Sequence, residues 1–415
     1  MAIGRRIRSL FGDPALAFTV FSLTIFGIFM IYSAGRLDVP KPGVGGAWRN
    51  QITWFVVSLI AMLVVTRVQV RWIEWLALPL YVIGVLTLMT TLVIGTGAGT
   101  AEGTKSWLRF GGFMVQPSQF ANLATIMMLG RIMGAWRERP SSLWDLWKPI
   151  AVVALPMLLV LAQPDLGTAM VFGGLMLATL YWAGTPIGLM FMLLSPMVAL
   201  FIAIVPWLFS VYMLGLLAFL YFYRAYFWEG AIVTIANLAA GTIGKPLWNA
   251  LEDYQKNRLI VFLDPMKDPR GAGYNVIQSK VAIGSGGMYG KGYLDGTQKR
   301  LAFLPEQHTD FIFAVIGEEM GFLFGTLVVI TAYAIILWRL TKLAERISDP
   351  FAGIVIFGIF GAWFTHIIVN IGMTVGVMPI TGIPLPFLSY GGSFLLATYL
   401  ALGVAQRVAS EQGRI

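Results

Sequence analysis

The sequence predicts an all-α polytopic membrane protein, with about ten core transmembrane helices, an inserted helical pair and a large extracytoplasmic loop. Three observations predict it. Hydrophobic residues make up 58% of the 415-residue chain and charged residues only 12%, about half of the ~25% usual in a soluble domain. The apolar residues fall in runs of about 17–25, the length that crosses a bilayer as a helix. Basic residues gather at alternate ends of those runs, as they do in cytoplasmic loops.

The chain opens on a basic segment, MAIGRRIRSLFGD, before the first apolar run at 14–33. That run is long enough to span and carries no clear small-residue cleavage pattern. It therefore reads as a first transmembrane helix and not as a signal peptide. Further runs follow at 51–66, 73–95, 117–135, 149–163, 166–183 and 187–206. Only Gln163, Pro164 and Asp165 part the run at 149–163 from the next, a tight turn at the membrane surface. Weaker runs at 208–223 and 230–247 are read as two helices or a re-entrant pair. Runs at 310–338, 353–374 and 387–406 complete the pattern. Pro156, Pro196 and Pro206 fall within these runs; neighbouring helices can satisfy the backbone groups that such prolines free. No repeat of 20–50 residues and no flexible linker divides the chain, so 1–415 reads as a single membrane domain.

With the N-terminus inside, the cytoplasmic segments hold Arg5, Arg6 and Arg8; Arg67 and Arg71; Arg137, Arg139 and Lys148; Arg224; Arg339, Lys342 and Arg346; and Arg407 and Arg414. This set is consistent. It puts both termini in the cytoplasm and the loops 96–116, 251–309 and 378–386 outside. The net charge of +9 fits anionic lipid headgroups, and no nucleic-acid partner is expected. The absence of cysteine excludes disulfides and thiolate chemistry. His308 and His366 are the only histidines, so a histidine-rich metal site is not expected.

The outer loop is the chemical anomaly. Between 251 and 308 it carries eight Lys/Arg, six Asp/Glu and many glycines. Glycine lets backbone amides approach a phosphate closely, lysine and arginine neutralise a diphosphate, and a positioned aspartate serves as a general base. Such a set at a membrane surface suits a lipid-linked diphosphate, although a solvated loop would also use glycines in its turns. Walker A, GxGxxG and HExxH patterns are absent.

Four stretches carry a resemblance. DPRGAGY opens a region at 268–325, GIPLPFLSYGGS stands at 382–393, QPDLGTA at 163–169 and KSWLRFGGFMVQPSQ at 105–119. Together they resemble the signatures of the SEDS family (shape, elongation, division and sporulation), in the family's order. GTQ at 296–298 and QPDLGT make the chain similar to the RodA elongation branch more than to the FtsW division branch. The resemblance implies a peptidoglycan glycosyltransferase that polymerises lipid II outside the membrane. It implies a class B penicillin-binding protein (a transpeptidase) as partner, beside the elongation proteins of the rod complex, in the bacterial inner membrane.

The family's key acid maps onto Asp268, the first residue of DPRGAGY. The chemistry implied is an inverting transfer in which Asp268 takes the proton of the attacking 4-hydroxyl. Asp264, in a similar Asp-Pro pair, reads as an Asp-Pro turn. Arg109 and Lys280 match basic positions of the family and are the candidates for diphosphate contact; an interfacial or snorkelling cation is the plainer reading of each. Glu306, His308 and Asp310, in LPEQHTDF, line the site or support it. A divalent cation would suit a diphosphate leaving group, but no ligand set is visible and no metal-binding residue is assigned. Asp165 reads as a helix cap, His366 as a hydrogen-bonded helix contact, and the glycines of SYGGS as allowing close helix packing. Glu318 and Glu319 fall about two turns into a span, where a partly wet site is expected.

Two departures from the family stand out. Gln119 and Asn122 occupy positions where the family usually has glutamate and lysine, and an amide–amide hydrogen bond is the expected substitute. Phe394 follows Ser393 where a second serine is usual. The family also joins its seventh span directly to the outer loop, which makes 207–247 the inserted pair. A lipid II transporter (flippase) and a non-enzymatic scaffold are the competing readings. A transporter would place its polar groups near the bilayer midplane, whereas this sequence concentrates them in outer loops.

Overall fold

The structure, a computed structural model, describes residues 11–38, 44–97, 105–111, 113–250, 256, 261, 262, 264–269 and 273–412. Arg5, Arg6, Arg8 and Arg414, used above for orientation, and Arg270, Gly271 and Ala272 of DPRGAGY lie outside the described residues. Helices follow the apolar runs in order. They are α1 (Pro14–Ala34), α2 (Ala47–Val65), α3 (Val70–Ile94), α4 (Pro117–Gly134), α5 (Trp147–Ala162), α6 (Leu166–Trp182), α7 (Ile187–Ile202), α8 (Pro206–Tyr223) and α9 (Phe227–Ala250). The polar loop follows, then α10 (Tyr274–Gly286), the short α11 (Thr297–Arg300), α12 (Ile312–Gly321), α13 (Leu327–Arg346), α14 (Pro350–Val375) and α15 (Gly392–Gln412). Among the described residues eight helical stretches are long and apolar enough to cross a membrane; α6 and α7 are apolar but shorter. Among the described residues one strand pair occurs, β1 (Leu108–Phe110) antiparallel to β2 (Phe113–Val115), with Arg109 opposite Met114. The chain is an all-α, multi-pass membrane protein.

Local chemistry sets the helix starts. Asp13 accepts the Leu16 amide at 3.0 Å, and Pro14 takes the first helical position, where its missing N–H leaves nothing unpaired. Asp349 and Pro350 repeat the device at α14. Asp165 caps α6 by accepting the Thr168 amide at 2.9 Å.

Of the long apolar helices, α14 and α15 are the most enclosed. α14 packs on α4, α6 and α13, and α15 runs along α2. Rings of Trp363, Phe387 and Tyr399 meet between them, with centroids 4.8 and 5.6 Å apart. The Tyr399 and Thr24 hydroxyls pair at 2.8 Å, which satisfies both inside the core. α9 lies along α7. Buried Asn237 donates to the Ser195 hydroxyl at 2.8 Å and accepts from the Tyr212 hydroxyl at 3.0 Å, lacing α7, α8 and α9 together.

One end of the bundle is closed by charge. The Asp13 carboxylate pairs with Arg339 near the end of α13 at 2.7 Å, and the Asp13 backbone exchanges two hydrogen bonds with Gln406 of α15. Glu411 pairs with Arg407 and accepts the Val70 amide. The starts of α1 and α3 and the ends of α13 and α15 therefore share this end. The polar loop gathers at the other.

Three expectations are corrected. The span expected at 310–338 is α12 and α13 joined by a π-helical turn at Phe322–Thr326, and it runs on to Arg346. The last span begins at Gly392, not at 387. Pro384 and Pro386 cannot donate to a helix, and the Ser389 hydroxyl accepts the Leu385 amide at 2.9 Å, which keeps this segment in turns. The polar loop contains helix. In α10, Val276, Ser279, Ala282 and Gly286 are buried at helical spacing, a face narrow enough to pack closely on α12.

Candidate active site

The two Asp-Pro pairs differ in structure. Asp264 accepts the Met266 amide at 3.1 Å and caps the short 3₁₀ turn Pro265–Lys267. Asp268 ends that turn, half-buried, and its carbonyl accepts the Gly273 amide at 3.0 Å. A Cβ on Gly273 would stand 2.3 Å from the Pro265 carbonyl oxygen. Only glycine lets the chain fold back there to start α10. Asp268 is thus tied through its carbonyl to the residue that starts α10.

α10 is fastened at several points. The Ser279 hydroxyl donates to the Thr374 carbonyl at 2.7 Å, in the last turn of α14. Lys280 is exposed, and its Cε and Nζ lie against Gly376, which ends α14 in the left-handed region at φ 76°. A cation there complements the helix C-terminus. At the other end, Gly286 abuts the Gly317 and Glu318 carbonyls.

Glu306, His308 and Asp310 precede α12, and all three are half-buried. They meet the 382–391 segment. The His308 carbonyl accepts the Tyr390 amide at 3.0 Å, the Thr309 carbonyl accepts the Ser389 hydroxyl at 2.7 Å, and Asn370 donates to the Asp310 and Ile383 carbonyls at 2.9 and 2.7 Å. The His308 and Tyr390 rings lie 5.3 Å apart. The Thr309 hydroxyl donates to the Glu306 carboxylate at 3.2 Å. Burial pushes the His308 imidazole below its ordinary value of 6.5, and the nearby Glu306 carboxylate opposes that shift. Burial therefore disfavours the charged ring.

Two further stretches join this end. The Ser393 hydroxyl accepts the Gln116 amide at 3.2 Å, and the Gln116 side chain donates to Asp165 at 3.0 Å. Asp165 thus caps α6, as expected, and also ties it to the start of α4. Gln51 clamps the 389–391 turn by donating to the Ser389 carbonyl and accepting the Gly391 amide. All four sequence signatures therefore meet at one end of the bundle. His366 is hydrogen-bonded, as read from sequence, but its Nδ1 contacts the Pro384 carbonyl at 3.1 Å, in the turns of the 382–391 segment and not in a helix.

The six candidate residues do not form one cluster. Glu306, His308 and Asp310 stand together. Lys280 lies at the end of α14. Arg109 is exposed on β1, and the hairpin it belongs to reaches the start of α15 through β2 and α2 through the Phe113–Trp54 ring contact. Two expectations fail on geometry. Glu318 and Glu319 are fully buried, not partly wet, and each pairs with a lysine, Lys291 and Lys299 respectively. Gln119 donates to Gln116 at 3.1 Å and not to Asn122, whose Oδ1 has no hydrogen-bond partner. Gln119 and Asn122 line a small cavity with His366, Phe394 and Thr398 between α4, α14 and α15. Sequence reading passed over Gln51, Gln116, Gln307 and Asn370. Their signal was a polar side chain at or near the end of an apolar run.

The FtsW/RodA/SpoVE family, described as "Cell cycle protein", matches residues 14–414. The chain belongs to this family. It is 33% identical to the peptidoglycan glycosyltransferase MrdB of Escherichia coli (strain K12) over 401 residues, covering 96% of this chain and 94% of that protein. It is also 33% identical to the peptidoglycan glycosyltransferase RodA of Treponema pallidum (strain Nichols), covering 96% and 98%. Among solved structures, it is similar to a chain described under structural coordination of polymerization and crosslinking by a peptidoglycan synthase complex. The TM-score is 0.71 at 25% identity, covering 97% of this chain and 99% of that one. The rod shape determining protein RodA of Thermus thermophilus shares the fold, with a TM-score of 0.62 at 23% identity, covering 96% and 97%. The SEDS resemblance read from four short motifs thus holds over nearly the whole chain.

Proposed function

We propose that the chain is a peptidoglycan glycosyltransferase, RodA-like, which polymerises lipid II into glycan strands during cell-wall elongation. The observation that carries this reading is the meeting of 116–119, 165–168, 304–311 and 382–393 at the end of the bundle where α10 is fastened. Relatives named for this reaction support it. The lipid II 4-hydroxyl attacks the anomeric carbon of the growing glycan, and Asp268 takes its proton. The bond from that carbon to the diphosphate oxygen breaks on the opposite face, so the configuration inverts. Lys280 and Arg109 balance the charge gathering on the leaving lipid diphosphate. Glu306, His308 and Asp310 line the acceptor side.

Residues 1–415 are one membrane domain, with 207–247 as an inserted helical pair and 251–309 as the extracytoplasmic loop. The alternation of basic residues supports cytoplasmic termini in a bacterial inner membrane. The likeness to a chain of a peptidoglycan synthase complex supports a class B penicillin-binding protein as partner, within the elongation machinery.

The test is direct. Purified protein with a class B penicillin-binding protein and labelled lipid II yields a ladder of glycan strands. If labelled lipid II instead crosses vesicle bilayers and no strand forms, the transporter reading replaces this one. Lys280→Ala, at an exposed position, leaves thermal stability nearly unchanged. It lowers kcat/KM about ten-fold or more, from the ~1.5–3 kcal/mol that a charged hydrogen bond contributes. An unchanged kcat/KM removes Lys280 from the site.

A further inference from the structure

Under the 304–311 segment lies an ion pair that the proposed chemistry does not use. Lys299 and Glu319 pair with both side chains fully buried. The Ser33 hydroxyl, in the last turn of α1, donates to the Glu319 carboxylate at 2.7 Å and accepts from the Lys299 ammonium. Lys299 also donates to the Ser33 carbonyl at 3.0 Å. The three ammonium hydrogens thus have three acceptors. Gln307 adds a second tie, donating to the Ala34 carbonyl at 2.7 Å and to the Lys299 carbonyl at 3.3 Å. The last carbonyls of a helix have no partner within it. Here Lys299 and Gln307 supply two of them for α1. Glu318 continues the network, accepting Lys291 and the Gln298 and Lys299 amides.

A buried ion pair is a poor source of stability. Desolvating both charges costs about as much as their attraction returns, and apolar replacements of similar volume are often neutral. What such a pair does well is select one register. This one sets the 299–307 turn on the end of α1, and Gln307 stands between Glu306 and His308. Glu306 is held at a positive φ of 49°, a conformation that a non-glycine residue adopts only when its surroundings impose it.

We propose that Lys299, through its buried pair with Glu319 and Ser33, is a positioning residue for the 306–310 face of the site. It sets where Glu306, His308 and Asp310 stand without touching substrate. The inference rests on the polymerase reading for its kinetic consequence and on geometry alone for its structural one.

The test uses the full-length protein with its class B penicillin-binding partner. The double variant Lys299→Met/Glu319→Leu removes both charges and keeps the volume. It is expected to stay folded. Amide exchange across 304–311 rises at least ten-fold, while exchange in α14 is unchanged. kcat for lipid II polymerisation falls at least ten-fold with KM within about two-fold. Wild-type kcat and wild-type exchange in the folded double variant overturn the proposal. Should that variant not fold, Ser33→Ala removes the bridging hydroxyl and strands no charge. It is expected to raise the same exchange and lower kcat about three-fold, and no change in either overturns the proposal. Inactive wild type overturns the polymerase reading instead, and amide exchange then decides the positioning role alone.

Discussion

Asp268→Asn lowers polymerisation by about 10²–10⁴, the range a positioned general base contributes, while Asp264→Asn retains nearly all of it. The two residues look alike in sequence, each followed by proline. Asp264 uses its carboxylate to cap a turn through the Met266 amide, and asparagine caps as well as aspartate does. Asp268 sits after that turn, before the fold-back at Gly273 that begins α10. Asparagine there keeps the shape and one acceptor oxygen, but its NH2 only donates and cannot take a proton. The measurement is the initial rate of strand synthesis from labelled lipid II, with thermal unfolding recorded for both variants. Equal losses in the two variants would mean that the turn matters and the base does not. Full activity in Asp268→Asn would move the base elsewhere, with Glu306 and Asp310 next to be tested.

Gly290→Ala destabilises the protein by about 2–4 kcal/mol, from left-handed backbone strain of ~1–2 kcal/mol and the loss of one or two buried hydrogen bonds of ~1 kcal/mol each. Gly290 has φ 82°, and a Cβ there would stand 2.1 Å from the Glu319 carbonyl oxygen. That neighbour is backbone, so no side chain can swing aside. The loop around it is knit to α12 by main-chain bonds: Lys291 and Gly292 donate to the Glu318 and Glu319 carbonyls, each at 3.0 Å, and Phe322 donates to the Gly287 carbonyl at 2.9 Å. Moving one strand of this knot loosens α10 from α12, and polymerisation falls with stability. Gly284→Ala is the control. It lies inside α10, ahead of the loop that holds Gly290, with open space around its Cβ position, so alanine gains about 0.5–1 kcal/mol from helix propensity. Thermal unfolding in detergent reads both. A Gly290→Ala protein as stable as wild type would show that this loop is not a fixed part of the fold.

The helices were legible because each signal is local. A span must satisfy its backbone within itself and face lipid with apolar side chains, and both demands are written in consecutive residues. The caps at Asp13, Asp165 and Asp349 are local too, although of the three only Asp165 was read as one from the sequence. α10 was missed because Val276, Ser279, Ala282 and Gly286 are too small and too mixed to look like an apolar face. They make one only against α12. The hairpin at Leu108–Val115 is short enough that its alternation carries no signal.

The candidate site was read in a different way. Asp268, Lys280 and Arg109 were reached through a family pattern, because their chemistry alone does not separate them from Asp264 or from interfacial cations. Composition and periodicity by themselves determined a multi-pass helical membrane protein with its polar residues concentrated in three loops. Tertiary structure decided the partners: Ser33 with Lys299 and Glu319, Gln116 with Ser393 and Asp165, Asn370 with the Asp310 and Ile383 carbonyls. The physical reason is range. Helix formation and membrane insertion depend on residues within a few turns of one another. A buried polar group must instead find its complement wherever packing brings one, and for Ser33 and Glu319 that complement lies 286 positions along the chain.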